Sequence, residues 1–169
     1  MNRMSLICYG KMKSKDFQNS VDEFVGRISQ YCPIEVFILK AEKIEEKSSA
    51  VRAQLKEKEA NSFFELIDSK AFKQHAGQSP VFWVLDETGK SLSTQEWADQ
   101  FKLLALQGQG SLALVIGGSL GLSELVRKKG AKLISFGKQT MNHELTRVVA
   151  TEQIYRAFTV IHGHPYHNS

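Results

Sequence analysis

Apolar positions along the chain fall into two kinds of run, short and continuous or longer and at helical spacing, and the two kinds alternate. Residues 4–9 read as a first strand, ended by Gly10-Lys11. Phe17, Val21, Phe24, Val25 and Ile28 recur at helical spacing, which predicts a helix over 15–30. Pro33 blocks helix, and 34–39 reads as a second strand. The stretch 40–59 mixes charges of both signs and has no apolar face until Val51 and Leu55. Its first part is expected to be a mobile, solvated loop, and its second to lead into a helix carrying Phe63, Leu66 and Ile67.

Pro80 opens a third strand over 81–85 that stops at Asp86-Glu87-Thr88-Gly89. Ser93 with Glu96 three residues later predicts a capping box, starting a helix that runs to Leu106 and is ended by Gly108 and Gly110. The run 112–116 is apolar throughout, as in a strand buried on both faces. Ser123 caps a short helix to Lys129, 132–135 forms a fifth strand, and 143–161 forms the last helix. Strands alternating with helices predict an α/β layered domain with a mainly parallel sheet. No linker, repeat or low-complexity tract divides residues 1–169, so a single domain is expected.

The last helix is not simply amphipathic. Leu145, Val148 and Val149 point one way, and Ile154, Ala157, Phe158 and Ile161 point nearly opposite. A helix apolar on several faces is buried on several faces. Either it is wholly covered inside the monomer, or a second copy covers one face in a homodimer.

Charge changes the picture mainly by its placement. The net charge is +4, with 42% hydrophobic and 24% charged residues. From Gly121 onward there are seven Lys or Arg and three acids, leaving fifteen of each upstream. The excess is therefore C-terminal, as are four of the five histidines. Such asymmetry suits a phosphate-bearing partner or a solvated surface. No apolar run approaches the roughly 18 residues a membrane span needs, and nothing resembles a secretory leader, so a cytoplasmic protein is expected. Cys8 and Cys32 form no Cys-x-x-Cys pair; both read as buried thiols, and a disulfide framework or zinc site is not expected.

Three segments are candidates for chemistry. In 114–122 a buried strand runs into Gly117-Gly118-Ser119-Leu120-Gly121, where missing side chains allow either a tight turn or close approach of a ligand. Neither the dinucleotide fingerprint nor the P-loop pattern is met. The loop 135–143 mixes Gly137 with polar side chains between Phe136 and Met141, and its backbone suits an adenine edge. Last, 151–157 is followed by His162-Gly163-His164-Pro165-Tyr166-His167, which suits phosphate contact and base stacking, or is a frayed end. A metal is not expected there, because no cysteine is near and no carboxylate follows Glu152. These residues alone imply a strand-end ligand loop and a basic C-terminus, and no reaction.

Taken together the segments resemble the RlmH (YbeA-type) family, SPOUT-class methyltransferases acting on N3 of a pseudouridine in 23S ribosomal RNA. The resemblance rests on Tyr9-Gly10-Lys11-Met12-Lys13, Lys56-Glu57-Lys58-Glu59, 85–93, 115–122, 143–147, 152–157 and Gly163-His164-Pro165-Tyr166-His167, and spans essentially the whole chain. It implies an α/β/α SPOUT fold with a C-terminal trefoil knot, a homodimer packed through the last helix, and S-adenosylmethionine as methyl donor with S-adenosylhomocysteine as product. It implies a cofactor site at Leu85, Gly117, Phe136, Gly137, Lys138, Gln139, Thr140 and Met141, with His143, Arg156, Tyr166 and His167 doing the chemistry on the large ribosomal subunit or assembled ribosome. His143 or His167 would relay the imide proton, and no metal is needed. Within the resemblance, a SPOUT enzyme acting on another RNA such as tRNA, or an inactive ribosome-associated protein of this fold, stays open. The chain departs from the family at Asn142, where proline usually stands, and at Asn168-Ser169, where a basic residue usually follows the tail histidine.

Overall fold

A computed structural model describes residues 3–43 and 48–167. Part of the expected loop before the second helix, 44–47, and the Asn168-Ser169 ending fall outside the described residues. Five strands, β1 (Arg3–Tyr9), β2 (Ile34–Leu39), β3 (Val81–Ser91), β4 (Ser111–Ile116) and β5 (Lys132–Ser135), form one sheet in the order β2-β1-β4-β3-β5. Every pairing is parallel. The helices are α1 (Lys15–Ile28), α2 (Ser49–Asp68), α3 (Lys70–Ala76), α4 (Thr94–Leu106), α5 (Glu124–Lys129) and α6 (His143–Ile161).

Strand parity divides the core between two faces, because successive side chains alternate across a sheet. Met4, Leu6, Cys8, Trp83, Leu85, Leu112, Leu114 and Ile116 pack with Ile28 of α1, Trp97 and Phe101 of α4, and Ile154 and Phe158 of α6. Ile7, Tyr9, Phe82, Val84, Ala113 and Val115 pack with Phe63 of α2, Phe72 of α3 and Val126 of α5. A sheet covered on both faces explains why β4 is apolar and buried at every position. Burial pushes the Cys8 thiol up to about 12 and the Cys32 thiol to about 11, so both stay protonated and unreactive.

The caps follow local chemistry. Ser93 and Glu96 form a reciprocal capping box, and Ser123 accepts the Val126 N–H. Three local features differ from expectation. α1 ends at Ile28, with its C-cap at Ser29. Ser69, at ψ 150°, ends α2 and caps α3 through the Phe72 N–H, a separate helix absent from the expected elements. The third strand does not stop at Asp86: the register jumps between Leu85 and Lys90, and Lys90-Ser91 pair again with Ile134-Ser135. Sequence shows the turn residues but not the second pairing, because its partner lies more than forty residues away.

Candidate active site

In a parallel sheet, ligands gather beyond the carboxyl ends of the strands, above all where neighbouring strands send their chains to opposite faces. β4 is such a place. Its chain goes on to α5 on one face, while those of flanking β1 and β3 go on to α1 and α4 on the other. A cleft of about 410 Å³ opens at the ends of β4 and β5 and at Leu85-Asp86-Glu87, where the β3 register jumps. Leu85, Ile116, Ile134, Phe136 and Met141 supply apolar lining, with Gly117 to Leu122 and 136–141 bringing backbone groups.

Of the residues singled out for the cofactor, Leu85, Gly117, Phe136, Gly137, Gln139, Thr140 and Met141 line this cleft. Lys138 belongs to the same loop but is exposed and outside the lining. A Cβ on Gly117 would meet Leu122 Cγ at 3.0 Å, and Gly121 takes φ +72°, so these glycines let the turn fold tightly on itself while it lines the cleft. Gly137 at φ +130° does the same for the second loop, where Ser135 Oγ accepts the Gly137 N–H at 3.0 Å. Phe136 stacks on Trp97. The loops are also tied to each other: Thr140 Oγ1 donates to Glu87 at 3.3 Å, and Arg127 of α5 pairs with Asp86 at 3.2 Å.

His143 lines the cleft too. Burial is the largest cause holding its imidazole below the ordinary histidine range; Arg147 and Lys13 add to it and Glu144 opposes. Asn142 caps α6 by accepting the Glu144 and Leu145 N–H groups, so the residue in place of the family's proline starts this helix. Buried Glu144 accepts the backbone N–H groups of Lys13 and Ser14 at 3.2 and 3.1 Å, and the Ser14 bond is the largest cause holding its carboxyl below the usual range. Buried Arg147 donates to the Tyr9 carbonyl. α6 is thereby fastened to the end of β1 and the loop after it.

Arg156, Tyr166 and His167 are not in the cleft. Arg156 donates to Glu152 Oε1, from Nε at 2.8 Å, and its guanidinium lies 4.7 Å from the centre of the Tyr166 ring. Tyr166 donates to the same Glu152 oxygen at 3.3 Å. Burial first, and then the Glu152 carboxylate, raise the Tyr166 phenol, so it remains a proton donor at neutral pH. Thirteen residues of helix separate Arg156 from His143, about 20 Å at 1.5 Å per residue. Lys56, Asp86, Glu87, Arg127 and Thr146 also line the cleft, and sequence reading missed them as site residues. Asp86 and Glu87 were signalled by their place after the expected strand, and Lys56 stands in a segment that carries the family resemblance without a site role of its own. Among the described residues no His, Cys, Asp or Glu cluster is arranged for a metal, and no helix is long and apolar enough to cross a membrane.

A parallel sheet covered by helices on both faces, with a cleft at one end of its strands, is a ligand-binding architecture shared by many activities; similarity to known proteins makes the class specific. The chain belongs to the SPOUT methyltransferase family: the model described as "Predicted SPOUT methyltransferase" matches residues 2–167. It is similar to "Ribosomal RNA large subunit methyltransferase H" of Lactobacillus helveticus (strain DPC 4571), 38% identical over 165 residues, covering 97% of this chain and 98% of that one. The protein of the same name from Enterococcus faecalis (strain ATCC 700802 / V583) is 37% identical over 166 residues, covering 98% and 99%. Among solved structures, a probable methylase family protein from Haemophilus influenzae Rd KW20 matches with TM-score 0.55 at 13% identity, covering 99% of this chain and 71% of that one. The SpoU methyltransferase AviRb from Streptomyces viridochromogenes matches at 0.51 and 16%, covering 95% and 61%. At such identities the structural likeness concerns the fold alone.

Proposed function

We propose that this protein, as one domain acting in the cytoplasm, transfers a methyl group from S-adenosylmethionine to N3 of a pseudouridine in 23S ribosomal RNA. The observation that carries the reading is the similarity, across 97–98% of the chain, to relatives named for methylation of large-subunit ribosomal RNA. The cleft fits the cofactor: apolar walls at Leu85, Ile116, Phe136 and Met141 suit an adenine ring, and the backbone of 136–141 suits its polar edge. Bound S-adenosylmethionine supplies the methyl as an electrophile and leaves as S-adenosylhomocysteine.

The acceptor is an imide nitrogen, whose proton has to leave as the new N–C bond forms. His143 or His167 takes that proton, and the lowered pKa of His143 keeps it neutral and ready at physiological pH. Arg156 stabilises the negative charge developing on the base, and Tyr166 donates a hydrogen bond beside it.

One copy cannot bring these groups together, since about 20 Å of helix lies between His143 and Arg156. We place them together in a homodimer, in which one copy's Arg156, Tyr166 and His167 meet its partner's cleft. Supporting this, Leu145 of α6 is exposed, and Val148 and Val149 are only partly covered within the chain. The polypeptide closes as a trefoil knot. Supporting that, Ile134 pairs with both Leu85 and Lys90, and a strand pairs with two neighbours only across its two edges. A Cβ on Gly89 would lie 2.5 Å from the Ile134 nitrogen, so 86–89 crosses directly over β5.

Mass spectrometry of ribosomal RNA from a deletion strain tests the function. Loss of one methyl group from a pseudouridine of 23S RNA, restored by the purified protein on ribosomal particles, is expected. An unchanged methylation state overturns the assignment.

A further inference from the structure

The cleft contains one cation that neither its walls nor the proposed chemistry employs. Lys56 sits on α2, an element otherwise devoted to covering the sheet, and reaches the rim where the loop after β4 turns back. Its ammonium comes 3.9 Å from the position a Cβ on Gly121 would take. α2 is held against that end of the sheet one turn further on. There Tyr9 Oη donates to the Glu59 carbonyl at 3.1 Å, and the Glu42 N–H donates to Glu59 Oε1 at 3.0 Å. Lys56, three residues before Glu59, is therefore presented to the cleft by a fixed helix face.

The other charges of the cleft are already engaged. Arg127 is paired with Asp86 and donates to Thr88 Oγ1 at 2.9 Å, and Glu87 accepts from Thr140. Among the described residues no ion pair involves Lys56. Beside the loop after β4 the cleft thus presents an ammonium with no ion-pair partner among the described residues, placed to receive an anionic group of a bound ligand.

We infer that Lys56 is an anion-binding group of this site and takes the carboxylate at the amino-acid end of the cofactor. The inference rests on the cofactor reading above. The donor is a strong one for this task, since an ammonium bound to a carboxylate makes a charge-assisted hydrogen bond. A phosphate of the RNA is the other source of the same chemistry, and the two are separable.

Calorimetry on the intact protein uses two ligands, S-adenosylhomocysteine, which carries the carboxylate, and 5′-methylthioadenosine, which lacks the whole amino-acid end. In Lys56→Met the affinity for S-adenosylhomocysteine is expected to fall about 10- to 50-fold, with methylthioadenosine binding unchanged and Lys56→Arg within a few-fold of the parent. The unchanged ligand also reports that the variant is folded. Equal loss for both ligands, or loss for neither, overturns the inference. Unchanged cofactor binding with a raised KM for ribosomal RNA, steeper in salt, overturns it in favour of a phosphate contact. A parent protein that binds neither ligand sinks the cofactor reading itself, a result distinct from all of these.

Discussion

The two ends of α6 are built on opposite plans. At its N-terminus, His143 joins a cleft assembled from four other segments, and the helix is fastened by Glu144 to Lys13 and Ser14 and by Arg147 to Tyr9. At its C-terminus, Arg156 and Tyr166 converge on Glu152, a residue of the same helix, and touch nothing of the cleft. The first region is a site completed by tertiary structure. The second is a cluster held together by Glu152 of α6 and by the tail that folds back onto that helix. On the proposed reading, the groups that bind the cofactor and the groups that react are organised separately, and a second copy would join them.

The sharpest way to break the comparison is to damage each end in a different copy. Arg156→Ala is expected to lower methylation by about 10²- to 10⁴-fold, while cofactor affinity measured by calorimetry stays within twofold. Gly117→Trp is expected to block the cleft and abolish cofactor binding. Mixing the two inactive chains should recover a substantial fraction of parent activity, because one of the two composite sites is then intact. No recovery in a verified mixed dimer refutes the two-copy site.

Next in size is Gly89→Ala. Its new Cβ would meet backbone atoms of Leu133 and Ile134 at 2.5–2.6 Å, and backbone cannot swing aside as a side chain can. A loss of about 3 kcal/mol in urea unfolding is expected, with the far end of α6 unaffected. A change below about 0.5 kcal/mol would mean that 86–89 does not cross β5 so closely.

Smaller effects probe the fastening of α6. Glu144→Gln is expected to cost about 1–2 kcal/mol, by weakening two charge-assisted bonds. The folded pKa of Glu144 is lowered, so its stabilisation is present above the unfolded value near 4.5 and is lost as pH falls through the folded value. Chemical unfolding across acid pH should show that dependence flattened in the variant. For His143 the lowered pKa predicts an acid limb of kcat/KM that lies below pH 6.5, and His143→Gln should remove that limb. A limb above 6.5 excludes His143 as the group that accepts the proton.

Much of the architecture was legible because it is local. The bounds of β2, β5 and α6 match the apolar runs and their flanking turn residues, and Ser93 and Ser123 cap the helices they were expected to cap. The loops of the cleft were legible for a related reason, since glycines at a strand end mark where backbone must bend sharply. α3 was missed because its 7 residues are too few to show a helical period. Lys56 as a cleft residue and the Glu144 clamp were missed because the segments they meet lie on other elements, the clamp's some 130 residues away in the chain.

Local pattern alone therefore specifies the strands and every helix but α3, their order, and the alternation that buries a parallel sheet on both faces. Hydrophobic period and cap chemistry act over a few residues, and they survive reading one residue at a time. The pairing of β5 with Leu85 and again with Lys90, and the arrival of Lys56 at the cleft on α2, come from tertiary structure. Those outcomes depend on which surfaces meet across the sheet, and complementarity between distant surfaces has no period along the chain.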